Sequence, residues 1–287
     1  MTTSTLETPE VALVYDVRGP LPTADGRPPL LLVGAPMDAS GFGTLAGHFA
    51  DRTVVTYDPR GMGRSTRKDG RTTQTPQQHA DDVHRVIEAV GGPVDLFGSS
   101  GGAISGLALV AAHPGDVWIL VAHEPPLLPV LPDAERAVAA TRAVQAVYRA
   151  KGWGHGMAAF IAMTSWQGEF TDEFAATATP DPAAFGMPGE DDGSRDDPLL
   201  SDASDAITSF DLDVGALTAA PTRIVVVAGI ESKDTLTWRT SVGTAEALGL
   251  ELAVFPSNHG GFLGGEFGQQ GDPDAFAARL REVLAEG

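Results

Sequence analysis

Apolar residues along this chain fall into short runs separated by amphipathic stretches. Residues 11–17 alternate weakly and read as a strand. Residues 30–33, 53–57, 94–97, 117–122, 223–228 and 251–255 are short apolar runs bounded by turn residues, and several are rich in β-branched side chains. Between them the period lengthens. Residues 42–50 carry apolar side chains at helical spacing, with Leu45 and Phe49 on one face. Thr75-Pro76 opens a predicted helix over 77–90, with Val83, Ile87 and Val90 on one stripe. Residues 101–112, 241–248 and 273–284 read as further helices. Runs that are apolar throughout suit strands covered on both faces, as in parallel sheets. Strands alternating with helices at this spacing predict βαβ units, an α/β fold and a mostly parallel sheet flanked by helices.

The alternation breaks once. About a hundred residues separate the run ending near Ala122 from the one beginning near Arg223, too many for a plain connection. This stretch must hold structure of its own, and 134–150 and 157–164 read as helices. Residues 180–205 are rich in Pro, Gly and Asp, with Glu190-Asp191-Asp192-Gly193-Ser194-Arg195-Asp196-Asp197 at their centre. They predict a loosely held loop. Their acidic positions lack the spacing of a calcium loop.

Composition narrows the function classes. The 287 residues, 43% hydrophobic, suffice for one large domain with an insertion. The formal charge is −19, from 38 acidic against 19 basic residues, a balance that disfavours nucleic acid and anionic membranes as partners. There is no cysteine, so no disulfide, thiolate nucleophile or cysteine metal site is possible. The first ten residues lack the basic and apolar regions of a secretory signal, and no apolar run approaches the length of a membrane span. The expected location is the cytoplasm.

The candidate chemistry centres on Gly98-Ser99-Ser100-Gly101-Gly102, between the predicted strand 94–97 and the helix 101–112. A Gly-x-Ser-x-Gly turn in that setting lifts the serine oxygen clear of the sheet. Side chains at 98 or 102 would collide with the neighbouring strand or helix. The Gly101 N–H, at the positive end of the helix, suits a developing oxyanion. A free hydroxyl is a poor nucleophile near neutral pH, so Ser100 needs a base. Three further stretches accompany the turn: Leu30-Leu31-Leu32-Val33-Gly34-Ala35-Pro36-Met37, Tyr57-Asp58-Pro59-Arg60-Gly61-Met62-Gly63-Arg64-Ser65 and Val254-Phe255-Pro256-Ser257-Asn258-His259-Gly260-Gly261.

Taken in this order, the four stretches resemble the α/β-hydrolase superfamily over nearly the whole chain. More narrowly, the chain looks like a single-domain serine hydrolase of actinobacterial type with a helical cap. The resemblance implies an eight-stranded sheet with the cap inserted after the sixth strand. The core would then be residues 1–124 and 211–287, and the cap (lid) residues 125–210. Ser100 would be the nucleophile and His259, after the last strand, the base. The acid would be Glu124, past the strand that follows the nucleophile helix, with Asp234 and Glu231 as alternatives after the next strand. The oxyanion hole would combine Gly101 with Ala35, or with Met37, since Pro36 has no N–H. Asp58 and Arg60 look like a charged pair that holds its own turn. Ser99, His123, Trp153, Phe160 and Trp166 are candidates for contacts to substrate.

A serine at this turn suits acyl transfer. The expected activity is hydrolysis of an ester, lactone or thioester of a small to medium apolar molecule through an acyl-enzyme on Ser100. No cofactor or metal is expected, and the expected partner is that small molecule. Two alternatives stay open. One is a non-hydrolytic or binding role, cyclase-like or receptor-like. The other is carbon–carbon bond hydrolysis or perhydrolysis on the same triad.

Overall fold

Nine strands build one sheet in the computed structural model, which describes residues 1–286. They are Thr2–Glu7 (β1), Val11–Arg18 (β2), Leu30–Ala35 (β3), Val54–Tyr57 (β4), Thr66–Arg67 (β5), Val94–Ser100 (β6), Val117–His123 (β7), Arg223–Gly229 (β8) and Ala253–Phe255 (β9). Their spatial order is β1-β2-β4-β3-β6-β7-β8-β9, with β5 paired to β2. The β4-β3-β6-β7-β8-β9 stretch is parallel throughout, and β1, β2 and β5 are antiparallel. Every residue of β3 and β4 is buried, as continuous apolar runs in a covered sheet should be.

Helices cover both faces. Gly43–His48 (α1) and Pro273–Ala285 (α10) pack on one side, where Leu45, Phe49, Phe276 and Leu280 meet Leu30, Leu32 and Phe97. Pro76–Val90 (α2) and Gly101–Ala112 (α3) pack on the other, with Val83, Ile87, Ile104 and Leu107 against Leu31, Val33 and Leu96. Leu217 from Val214–Ala219 (α8) and Leu248 from Leu236–Leu248 (α9) join that second core. The α2 helix starts as its sequence predicts. The Thr75 hydroxyl accepts from the Gln78 N–H, Pro76 takes the first turn, and Gly91 closes the helix in the left-handed region.

Between β7 and β8 lie Ala134–Lys151 (α4), Trp153–Thr164 (α5), Asp172–Ala176 (α6) and Asp205–Thr208 (α7). This insertion has a core of its own, including Leu131, Val144, Tyr148, Met163, Phe170 and Leu200. Ile207 instead packs into the main core, so the insertion rejoins the sheet a few residues before position 210. Set aside the two-residue β5 and the insertion follows the sixth of eight strands. No helix among the described residues is long and apolar enough to cross a membrane.

Several elements differ from expectation for local reasons. The β1 sequence Thr-Thr-Ser-Thr-Leu-Glu carries no apolar run, and its pairing with β2 alone makes it a strand. The α5 helix begins at Trp153, because Gly152 at φ +84° turns the chain directly from α4. The 180–205 stretch is better anchored than its composition suggests. Asp197 donates its N–H to the Tyr148 hydroxyl and takes the Trp153 indole N–H at 3.0 Å, and Leu200 is fully buried.

Asp58 and Arg60 do not pair with each other. Asp58 accepts from the Ala39 and Arg64 N–H groups and from the Arg64 guanidinium, which closes its own turn. Arg60 reaches α2 and grips Asp82 through two 2.7 Å hydrogen bonds. Both partners are buried, at 1% and 0% side-chain exposure. Removing one partner of a buried pair leaves an uncompensated charge, at a cost of about 3–5 kcal/mol. Asp82→Ala should therefore lower the unfolding free energy by about that much in a urea titration, whereas Asp81→Ala on the exposed face should change it by less than about 0.5 kcal/mol.

Candidate active site

The strand-to-helix turn at residue 100 is strained. Ser100 sits at φ +58°, ψ −126°, a region that side-chain-bearing residues rarely occupy. Close packing forces the conformation. A Cβ on Gly98 would lie 2.6 Å from the Gly102 carbonyl oxygen, and one on Gly102 would lie 2.2 Å from the Val33 carbonyl oxygen. Those separations are far below van der Waals contact, so only glycine lets β6, α3 and β3 converge there. Ser100 and Ala35 are register partners across β6 and β3. The first N–H groups of α3, starting at Gly101, have no carbonyl within the helix to serve.

Ser100, Gly101, Ala35 and His259 share the wall of one cavity of about 580 Å³. Met37 is not on that wall, since its side chain lies over Gly34 and Gly41. Ser100 and His259 make no direct hydrogen bond among the described residues. Such contacts commonly form only once substrate is bound.

The carboxylate that meets His259 is Glu124. Its Oε2 lies 2.6 Å from His259 Nδ1, which holds the ring in one orientation and leaves Nε2 for other work. Two more donors complete the grip: the Gly229 N–H at 2.9 Å and the Thr237 hydroxyl at 2.6 Å. Glu124 is fully buried and sits at φ +46°. Burial by itself would push its pKa up, but the His259 hydrogen bond, the nearby histidines and the Thr237 hydroxyl outweigh it and hold the carboxyl well below its ordinary 4.5. The other two candidates stay apart from the imidazole. Glu231 is exposed and touches Asn258 at 3.4 Å. Asp234 is exposed, and only its backbone carbonyl is engaged, by Gly168.

The loop that carries His259 is pinned to the end of β8. The Glu231 N–H donates to the Ser257 carbonyl, and a Cβ on Gly229 would lie 2.5 Å from that same oxygen. Asn258 then closes a tight turn by accepting the Gly260 N–H.

Of the residues expected to touch substrate, Phe160 lines the cavity and the others do not. Ser99 and His123 lie buried beneath it, joined at 3.0 Å from Oγ to Nδ1. The His123 ring sits 5.7 Å below that of His259, nearly parallel, and burial lowers its pKa to about 4. It is a neutral floor under the site. Trp153 turns away to Asp197, and Trp166 turns to the Glu169 carbonyl and the Phe174 ring.

Sequence reasoning missed Thr237 altogether; a threonine inside a helix carries no sign of its partner. It also missed the polarity of the insertion's wall. Ser201, Ser204, Asp205 and Thr208 line the cavity at helical spacing, beside Thr141 and Gln145 from α4. Apolar lining comes from Phe160, Met163, Leu128 and Leu236, among others.

Among the described residues one group of potential metal ligands stands apart, His84, His113 and Asp116. His113 caps the far end of α3, a helix about 18 Å long. Its ring stacks on His84 at 3.8 Å and 8°, and His84 is held by Asp116 at 2.7 Å. Two parallel stacked rings cannot both aim a lone pair at one ion, so the group reads as a stacked, hydrogen-bonded cluster.

The strained serine, the gripped histidine and the N–H of Gly101 thus meet at one cavity. The sequence profile of the alpha/beta hydrolase family matches residues 30–279, and the chain belongs to that family. It is an enzyme of this type. It is 31% identical over 271 residues to the uncharacterized hydrolase YraK of Bacillus subtilis, covering 90% of this chain and 89% of YraK. Its fold is similar to an esterase from Thermogutta terrifontis (TM-score 0.64, 19% identity, 100% and 99% of the two chains). It is also similar to the enol-lactonase from Burkholderia xenovorans (TM-score 0.59, 19% identity, 96% and 97%).

The depressed pKa of Glu124 gives a stability prediction with a definite sign. A carboxyl whose folded pKa lies below its unfolded value stabilises the fold above the unfolded value, and that contribution fades as pH falls toward the folded pKa. Glu124→Gln should therefore cost about 1–3 kcal/mol near pH 7, and the gap to the natural chain should narrow below about pH 5. Thermal unfolding of both proteins across pH 3–7 checks this; a gap that widens in acid would contradict it.

Proposed function

We propose that this protein is a serine hydrolase of carboxylic esters, lactones or thioesters that works through an acyl-enzyme on Ser100. The observation that carries the reading is the strained Ser100 at φ +58°, sharing a cavity with a histidine whose Nδ1 is held 2.6 Å from the buried Glu124. His259 Nε2 takes the Ser100 proton as Oγ attacks the acyl carbon. The N–H groups of Gly101 and Ala35 receive the oxyanion. His259 returns the proton to the leaving group, then activates a water that releases the acyl group. Glu124 keeps the imidazole in the productive tautomer and balances its transient charge. The segment 125–210 acts as a cap, since α4, α5 and the 201–208 turn supply much of the cavity wall. The esterase and lactonase names of structural neighbours fit this chemistry, though at their identities they speak for the fold alone.

Treatment with a fluorophosphonate followed by peptide mapping should give one adduct, on Ser100, and Ser100→Ala should abolish both labelling and turnover of short-chain nitrophenyl esters. An adduct elsewhere, or turnover kept by Ser100→Ala, would sink the assignment. Glu124→Gln should lower kcat by about 10³–10⁴-fold, the loss expected when a base is left in the wrong tautomer. Glu231→Gln and Asp234→Asn should each stay within a few-fold; a crippling loss at either would move the acid there.

A further inference from the structure

We propose that the cavity selects neutral or cationic substrates and turns away those bearing a carboxylate, with Asp205 as the charge that sets the preference. The inference rests on the reading of Ser100 as nucleophile and goes on to name the class of substrate.

No lysine or arginine lines the cavity among the described residues, whereas two carboxylates, Asp205 and Glu231, do. Neither makes an ion pair among the described residues, so both charges act on whatever enters. Asp205 is held for this position. Gln145, only 5% exposed, donates one amide N–H to Asp205 Oδ1 at 2.5 Å and the other toward the Ser201 carbonyl at 3.5 Å. That arrangement uses both amide donors of Gln145 and leaves Oδ2 of Asp205 without a protein partner among the described residues. Ser201, Ser204 and Thr208 share the wall with it. Ser204 spends its hydroxyl on the Pro198 carbonyl and Thr208 on the Asp205 carbonyl, so both present acceptor lone pairs rather than free donors. The 204–208 part of the wall thus offers acceptors and a negative charge. A substrate carboxylate placed there would lose its water and find no cation, at a cost burial always imposes on an unpaired charge. An ammonium or an N–H or O–H donor would find Oδ2. The formal charge of −19 acts in the same direction at long range, but salt screens that field within about 8–10 Å, whereas Asp205 and Glu231, though exposed, stand on the cavity wall itself.

The test is kcat/KM for three nitrophenyl esters of equal chain length, ending in a methyl, a trimethylammonium or a carboxylate group, measured in about 0.1 M NaCl, where the screening length is about 10 Å. The natural chain should favour the cationic and neutral esters over the carboxylate by at least about tenfold, the discrimination one nearby charge supplies at an effective dielectric near 20. Asp205→Asn, which keeps the Gln145 contact, should shrink the gap several-fold. Asp205→Lys, and independently Thr208→Lys on the same helical face, should reverse it. Equal turnover of all three esters by the natural chain would overturn the proposal, and so would a gap untouched by Asp205→Asn and by both lysine variants. Fluorophosphonate labelling separates the two levels. A labelled Ser100 without charge preference defeats this inference alone; an unlabelled Ser100 in the natural chain defeats the serine-hydrolase reading beneath it.

Discussion

A carboxylate with no exposure to solvent is tolerable only if its oxygens are served, and in this molecule serving Glu124 organises everything near the sheet's C-terminal edge. The three donors come from separate elements: the end of β8 through Gly229, the first turn of α9 through Thr237, and the loop beyond β9 through His259. Withdrawing any one leaves a buried charge short of a partner, which costs more than the bond itself contributes. The grip therefore fixes the histidine loop against β8 and fixes α9 against both. The cavity wall formed by Leu236, Asn258 and His259 follows from it.

Strain gathers around the same place. Five non-glycine residues have positive φ: Ser100, Glu124, Asp234, Ser257 and Phe267. The first two carry the side chains of the proposed triad, and Ser257 stands two residues before His259. Strained backbone persists where surrounding packing over-determines it, and here that packing is visible in the contacts that forbid a Cβ at Gly98, Gly102 and Gly229.

Much of this was legible in the sequence, and the reasons differ by element. Buried parallel strands announce themselves as apolar runs, so β3, β4 and β6 to β8 could be read directly. The turn at Ser100 could be read because Gly98 and Gly102 are demanded by sterics at fixed spacing. Ser100 and His259 could be proposed together from chain order, and one cavity wall carries both. Glu124 could be ranked above Asp234 and Glu231 but not chosen outright, because the choice depends on which carboxylate a loop 135 positions away can reach. The partners of Arg60 and Asp58 were misjudged for the same reason: charge proximity in sequence says little about pairing in space. The two tryptophans of the insertion were expected at the cavity because large aromatics suit pockets. Their indole N–H groups needed acceptors, and Asp197 and the Glu169 carbonyl lay elsewhere. The polar stripe at 201, 204, 205 and 208 was present in the sequence with clear helical spacing, but the Pro, Gly and Asp around it disguised the turn.

Glu124 is also the residue from which the insertion departs. The chain passes from β7 through Glu124 straight into Pro125-Pro126, two residues whose rings fix φ. The near end of the insertion is thereby stiffened at its root, so any swing of α4 and α5 hinges farther along the chain. The helices α4 and α5, which line the cavity, can then shift while the proposed acid keeps its place. In the proposed mechanism the part that selects is thereby separate from the part that reacts, and two prolines mark the seam.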